Sequence, residues 1–207
     1  MQRIRVLCVD DHRIVREGIA LILSREPDID VVARAANGEE AVSMFRRHRP
    51  DITLMDLRLK TMSGLDAICA IRKEDPSARI IVLTMYVGDE DIHQALAAGA
   101  TTYLLKEALP DELVRTVRAV DAGEHPLRDD VKAKLDARAG RPTLTPREIE
   151  VLDHISRGER NRVIATELGI TETTVAVHIK NIFAKLKVNE RTAAVNVAIR
   201  RGIVHIE

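Results

Sequence analysis

The chain has 207 residues, 45% hydrophobic and 31% charged, which excludes a disordered chain and suits one large or two small folded domains. Aromatic residues make up 2% and tryptophan is absent, so the core must be aliphatic. The zero net charge conceals a mild split: residues 1–122 hold 17 basic and 20 acidic side chains, net −3, and residues 123–207 hold 15 and 12, net +3, compatible with a basic nucleic-acid-binding second half.

Strands and helices alternate from the start. Ile4–Val9 reads as a strand, Ile14–Ser24 as a helix, Ile29–Ala36 as a strand and Gly38–His48 as a helix. Ile52–Met55 is a third strand, Gly64–Lys73 a helix, Arg79–Leu83 a fourth strand, Asp89–Ala98 a helix and Thr102–Leu105 a fifth strand. Pro110–Ala122 opens with proline in its first turn, where the missing N–H costs nothing. Five nearly continuous apolar strands alternating with five helices predict an α/β fold, a doubly wound parallel sheet with helices on both faces.

Gly123 to Pro126 break the pattern, and Arg128–Arg138 is highly charged, so residues 123–142 read as a linker that could hold a short helix. From Thr143 the pattern is all helical. Thr145-Pro-Arg-Glu148 is a capping box with proline at the first helical position. Asn161, Thr171 and Asn189 are the expected caps of three further helices, and Gly169-Ile170 is the tight turn of a helix-turn-helix. The expected domains are 1–122, a linker at 123–142, and a small four-helix domain at 143–207.

Cys8 and Cys69 fall in a predicted strand and a predicted helix. They offer no disulfide framework or zinc spacing and fit a reducing, cytoplasmic setting. No apolar run reaches membrane-spanning length, and the N-terminus lacks a signal-peptide pattern.

The chemistry lies at the strand ends. In an open parallel sheet, ligands bind outside the carboxyl ends of the strands. The first strand runs into Asp10-Asp11, the third into Asp56, the fourth into Thr84 and the fifth into Lys106. Three carboxylates held close repel unless a cation or a proton intervenes, and hard oxygen ligands suit Mg²⁺. Asp56 can then attack a phosphoryl group, with Thr84 and Lys106 on its oxygens.

These residues resemble the receiver domain of bacterial two-component response regulators. The resemblance covers residues 4–122, through Asp-Asp after strand one, Met-Asp-Leu after strand three, Leu-Thr after strand four and Leu-Leu-Lys after strand five. It implies Asp10 and Asp11 as Mg²⁺ ligands beside Asp56, with the Arg58 backbone carbonyl as a further ligand. It also implies Asp56 as phospho-acceptor, Thr84 and Tyr103 as the switch pair, and Lys106 as the phosphate clamp. A partner sensor histidine kinase follows from it. Lys60 stands where the family usually has proline, which leaves that loop freer and adds a cation. His12 reads as a surface residue at the start of the first helix.

In the second half, Val175, Ile179, Ile182 and Leu186 form an inward stripe, and Thr173, Ala176, Val177 and Lys180 can face outward. Small, apolar and basic residues suit a major groove. Thr171, Thr173, His178, Lys185 and Lys187 are placed to meet phosphates. Residues 143–201 resemble the LuxR-type helix-turn-helix domain through Leu144-Thr-Pro-Arg-Glu148, Ile164-Ala165, Leu168-Gly-Ile170, Thr174-Val175, His178, Lys185-Leu186 and Arg191-Thr192. The whole chain thus looks like a NarL/FixJ-type response regulator. That resemblance implies Val177 and Lys180 as base-reading residues and a last helix that dimerises through Ala193, Ala194, Val197 and Ala198. Many relatives carry Lys at the place of Ala176 and Glu at that of Val163.

The expected function is a transcription regulator switched by phosphorylation at Asp56, binding double-stranded DNA at an inverted repeat as a homodimer whose formation can depend on phosphorylation. It is not expected to be an enzyme beyond accepting phosphate and releasing it slowly. An aspartate-nucleophile phosphatase would need a general acid two residues after Asp56, where Arg58 cannot donate a proton at neutral pH. A third reading is a helical domain that contacts proteins instead of DNA.

Overall fold

The computed structural model describes residues 3–85, 88–108 and 110–205. The sheet strands are β1 (Ile4–Val9), β2 (Ile29–Ala35), β3 (Ile52–Met55), β4 (Arg79–Thr84) and β5 (Thr102–Leu105). They pair parallel in the order β2-β1-β3-β4-β5. Between them run α1 (Arg13–Ser24), α2 (Gly38–His48), α3 (Gly64–Glu74) and α4 (Asp89–Ala97), and α5 (Pro110–Asp121) follows β5. The expected doubly wound sheet is therefore present, with the strand spans predicted to within a residue.

The order follows from local chemistry. β3, β4 and β5 are buried along nearly their whole length, which only helices on both faces allow. One side of the sheet packs β1, β3 and β4 residues such as Val6, Leu54 and Ile81 against Leu23 of α1 and Leu113, Val117 and Val120 of α5. At about 25 cal/mol per Å² of apolar surface, each fully buried aliphatic side chain there contributes about 1.5–3 kcal/mol against leaving it in water. Cys8 lies in this layer, and burial pushes its thiol up to about 12, so it behaves as a small hydrophobe.

The stretch read as a linker holds α6 (Asp129–Arg138). Charged as it is, this helix buries Val131. Ahead of it, the Thr102 hydroxyl of β5 donates to the Pro126 carbonyl.

The remaining helices are α7 (Pro146–Ser156), α8 (Asn161–Leu168), α9 (Glu172–Leu186) and α10 (Arg191–Arg201). The Thr145–Glu148 capping box forms, and Thr171 caps α9 by accepting from the Thr174 N–H. The other two expected caps move by one residue. Arg160 and Glu190 occupy the cap positions of α8 and α10, neither with a side-chain cap bond. Asn161 instead accepts from the Arg191 guanidinium at 2.9 Å, a tertiary bond that outcompetes local capping. The core of these four helices gathers Leu144, Val151, Leu152, Ile155, Ile164, Val175, Ile182 and Leu186.

Candidate phosphorylation site and nucleic-acid interface

The sheet builds the first site. The Asp56 N–H continues the ladder by bonding the Val9 carbonyl at 3.0 Å, and Asp10 bonds the Ala35 carbonyl at 3.1 Å. Both carboxylates are thereby carried past the ends of adjacent strands. Lys106, just after β5, places Nζ 2.6 Å from Asp56 Oδ2 and 2.7 Å from Asp10 Oδ2. The three side chains are at most 8% exposed. Burial pushes the Asp56 carboxyl above its ordinary range, against the opposing pull of Lys106 and of the Arg58 backbone N–H. Burial also weakens the Lys106 ammonium, but its bonds to Asp10 and Asp56 outweigh that and hold it above its usual value.

Asp10, Asp11, His12 and Asp56 bring one ligand atom each to within 4.8 Å of one another. Asp10 Oδ2 and Asp11 Oδ1 are buried without a hydrogen bond of good geometry. Lys106 and His12 stand beside these oxygens but leave their hydrogen-bonding capacity unfilled, and a divalent cation among the three carboxylates would fill it, so these residues fit a metal. His12 was read as a surface residue. Its side chain is exposed, but Nδ1 lies 2.7 Å from Asp11 Oδ1, so it touches the cluster. Its position directly after the Asp-Asp pair was the available signal.

Thr84 is fully buried at the end of β4, and Tyr103 is 1% exposed within β5, so both members of the expected switch pair lie inside. Lys60 is exposed and pairs with Asn37 through an isolated parallel bridge. The Thr61 hydroxyl donates to Glu39 at 2.5 Å, and a Cβ on Gly38 would strike Met62. The loop expected to be freer without proline is thus tied to the start of α2. Thr61 has φ 66°, a costly conformation for a β-branched residue that these contacts offset. Sequence reading also missed Gly64, whose Cα packs directly on the Asp56 and Leu57 backbone.

The helical domain presents a second surface. Thr171, Thr173, Ala176, Val177, Lys180 and Lys187 are exposed on or beside α9, and His178 is half-buried. Val177 is 53% exposed, unusual for valine on a helix whose other face is buried. Lys185 differs from expectation. Its ammonium lies 2.6 Å from Glu148 Oε2, itself 3% exposed, because Glu148 must face inward to complete the α7 capping box. Burial pushes the Glu148 carboxyl up, but Lys185 and the Thr145 N–H prevail and hold it below the usual range. Lys185 is therefore held within the domain.

The expected dimerisation residues divide. Ala194 and Ala198 are fully buried in the domain's own core and cannot form an outer face. They lie four residues apart, on the side of α10 turned to α7 and α9. Ala193 and Val197 flank an open groove with Asn196, Ile199 and Arg200.

The fold and site geometry define an α/β module with an acidic, lysine-paired site at the carboxyl edge of its sheet, in one chain with a helix-turn-helix module. Sequence comparison agrees: residues 6–118 match the response regulator receiver domain family, and residues 142–198 match the bacterial regulatory proteins of the luxR family. The chain belongs to the two-component response regulators that act as transcription regulators. It is 39% identical to the transcriptional regulatory protein LiaR of Bacillus subtilis, spanning 98% of this chain and all of LiaR. It is 37% identical to the response regulator protein VraR of Staphylococcus aureus, over 97% and 99% of the two chains. Among solved structures, RcsB of Salmonella enterica serovar Typhimurium, bound to a promoter in the presence of a phosphomimetic, matches with TM-score 0.70 and 26% identity over 95% and 98% of the two chains.

Proposed function

We propose that Asp56 accepts a phosphoryl group from a sensor histidine kinase and that its phosphorylation state sets the DNA binding of α9. The observation that carries this reading is Lys106 Nζ standing 2.6 Å from Asp56 and 2.7 Å from Asp10 at the carboxyl edge of the sheet. An Asp56 carboxylate oxygen attacks phosphorus, the bond to the kinase imidazole nitrogen breaks, and the electron pair leaves with that nitrogen. Asp10, Asp11, Asp56 and the Arg58 carbonyl would hold Mg²⁺, which neutralises charge on the transferring oxygens. Lys106 can leave Asp10 and Asp56 to pair with the new phosphate. The Thr84 hydroxyl can donate to it, and Tyr103 sits beside Thr84's strand to register the change. Slow loss of the phosphate to water is the only turnover expected.

The output is binding to double-stranded DNA. Val177 and Lys180 would read base edges, with Thr173 and Ala176 beside them. Thr171, His178 and Lys187 would meet phosphates. The open groove at Ala193 and Val197 supports pairing of two copies, and a two-fold dimer predicts an inverted-repeat site. RcsB has been solved as dimers bound to DNA, which supports both parts. Among the described residues no helix is long and apolar enough to cross a membrane, and we infer that the protein works in the cytoplasm, where such DNA lies.

The test treats wild type and Asp56→Ala with acetyl phosphate or beryllofluoride and Mg²⁺, followed by mass and DNA-binding measurements. Wild type should gain phosphate from acetyl phosphate and gain DNA affinity with either reagent, and the variant neither. A wild type that gains neither overturns the proposal. Lys180→Ala should weaken binding most at one base position, and a uniform loss across sequences would reassign it to phosphate contact.

A further inference from the structure

We propose that His154, Glu159 and Glu167 form a binding site for a transition-metal dication of the zinc class within the helix-turn-helix domain. His154 lies in the last turn of α7, Glu159 in the turn that follows, and Glu167 in the last turn of α8. Gly158, at φ 80°, lets the chain reverse there, and the Glu159 N–H closes the turn on the His154 carbonyl at 3.2 Å. His154 Nδ1 then stands 2.7 Å from Glu159 Oε2 and 3.4 Å from Glu167 Oε2.

Three features point to a metal. All three ligand atoms lie within 4.8 Å of one another. Zinc takes nitrogen and carboxylate oxygen at about 2.0–2.2 Å, so tetrahedral ligands sit roughly 3.3 Å apart, a spacing these side chains reach with small rotations. The ligand chemistry is mixed: imidazole favours zinc and its neighbours over Mg²⁺, and two carboxylates supply the charge. Finally, the local charge is unbalanced. Among the described residues no Lys or Arg forms an ion pair with Glu159 or Glu167, and both carboxylates face His154. Nearby guanidinium groups are committed elsewhere. Arg191 donates to the Glu159 main-chain carbonyl and to Asn161, and Arg157 pairs with Asp153. Two carboxylates converging on one imidazole leave net negative charge that a dication neutralises. His154 and Glu159 are 12% and 22% exposed, so two ligands are held in place, while Glu167 at 52% can close over an ion arriving from solvent.

Such an ion would join the end of α7 to the end of α8, the helix that precedes the DNA-facing α9. The site is separate from the acidic cluster at Asp56 and does not depend on the phosphorylation proposal. Its test titrates the full-length protein with zinc in saturating Mg²⁺, which fills the hard-oxygen site first. Wild type should bind one more zinc per chain than either His154→Gln or Glu167→Gln. Zinc should also raise the melting temperature of wild type and lose that effect in both variants. Glu167 is exposed, so Glu167→Gln keeps the test valid if the His154 variant folds poorly. Equal zinc binding by wild type and Glu167→Gln overturns the site.

Discussion

Gly64→Ala tests whether the backbone geometry around Asp56 sets its reactivity. A Cβ at Gly64 would stand 2.0 Å from the Asp56 carbonyl oxygen, 2.7 Å from Leu57 Cα and 2.9 Å from the Asp56 carbonyl carbon. All three are backbone atoms, so no side chain can rotate away. Bringing the closest contact out to 3.0 Å requires a displacement of about 1 Å between the start of α3 and the end of β3. The Gly64 N–H also bonds the Leu57 carbonyl at 2.9 Å, so the shift is transmitted to the Asp56 loop. Overpacking of this kind costs about 1–3 kcal/mol of stability. A misplacement of about 1 Å at a reacting group costs roughly 10²-fold in rate. Phosphorylation by acetyl phosphate with Mg²⁺, followed by intact mass against time, should therefore slow by about two orders of magnitude in a protein that still folds. Gly18→Ala is the control. Nothing lies within 4 Å of its Cβ, so it should keep the wild-type rate and gain up to about 1 kcal/mol of helix stability. A Gly64→Ala protein phosphorylated at a rate within a small factor of wild type would refute the reasoning.

Two further predictions concern charge. Lys106→Ala leaves Asp10 and Asp56 buried without their cation, which should cost about 3–5 kcal/mol in chelator. Asp56, already pushed up by burial, would lose the opposing pull of Lys106 and lie further above its unfolded value. The loss should deepen as pH rises above the ordinary carboxylate range, and Mg²⁺ should recover most of it. Thermal melts in chelator and in Mg²⁺ over several pH values check this, and a pH-independent loss would contradict it. Glu148→Gln keeps the capping bond to Thr145 but loses the charge facing Lys185, costing about 1.5–3 kcal/mol near neutral pH. Because Glu148 sits below its unfolded value, its stabilisation is present above the ordinary glutamate range, near pH 4.3, and fades as pH falls through the folded value. Wild type and variant should therefore converge in stability in acid, and a constant gap down to low pH would contradict the pairing.

The sequence by itself determined the elements and the strand-end chemistry. Runs such as Ile80–Leu83 are apolar without alternation, and Ile52–Met55 is apolar but for Thr53, which burial on both faces explains, and Asp56, Thr84 and Lys106 sit where such strands stop. The Thr145–Glu148 box and the Val175–Leu186 stripe were legible because capping and helical periodicity span a few residues. Tertiary structure decided what depends on residues far apart in the chain. Periodicity could not choose a face for α10, since Ala193, Ala194, Val195, Val197 and Ala198 make it apolar nearly all round. Packing against α7 and α9 turned Ala194 and Ala198 inward. Lys185 read as a phosphate contact until its partner, 37 residues earlier, closed on it. The sharing of Lys106 between Asp10 and Asp56, the seat of Gly64 on the Asp56 backbone and the meeting of His154 with Glu167 have the same origin. Each is a distance between separate elements, and no local pattern of residues encodes it.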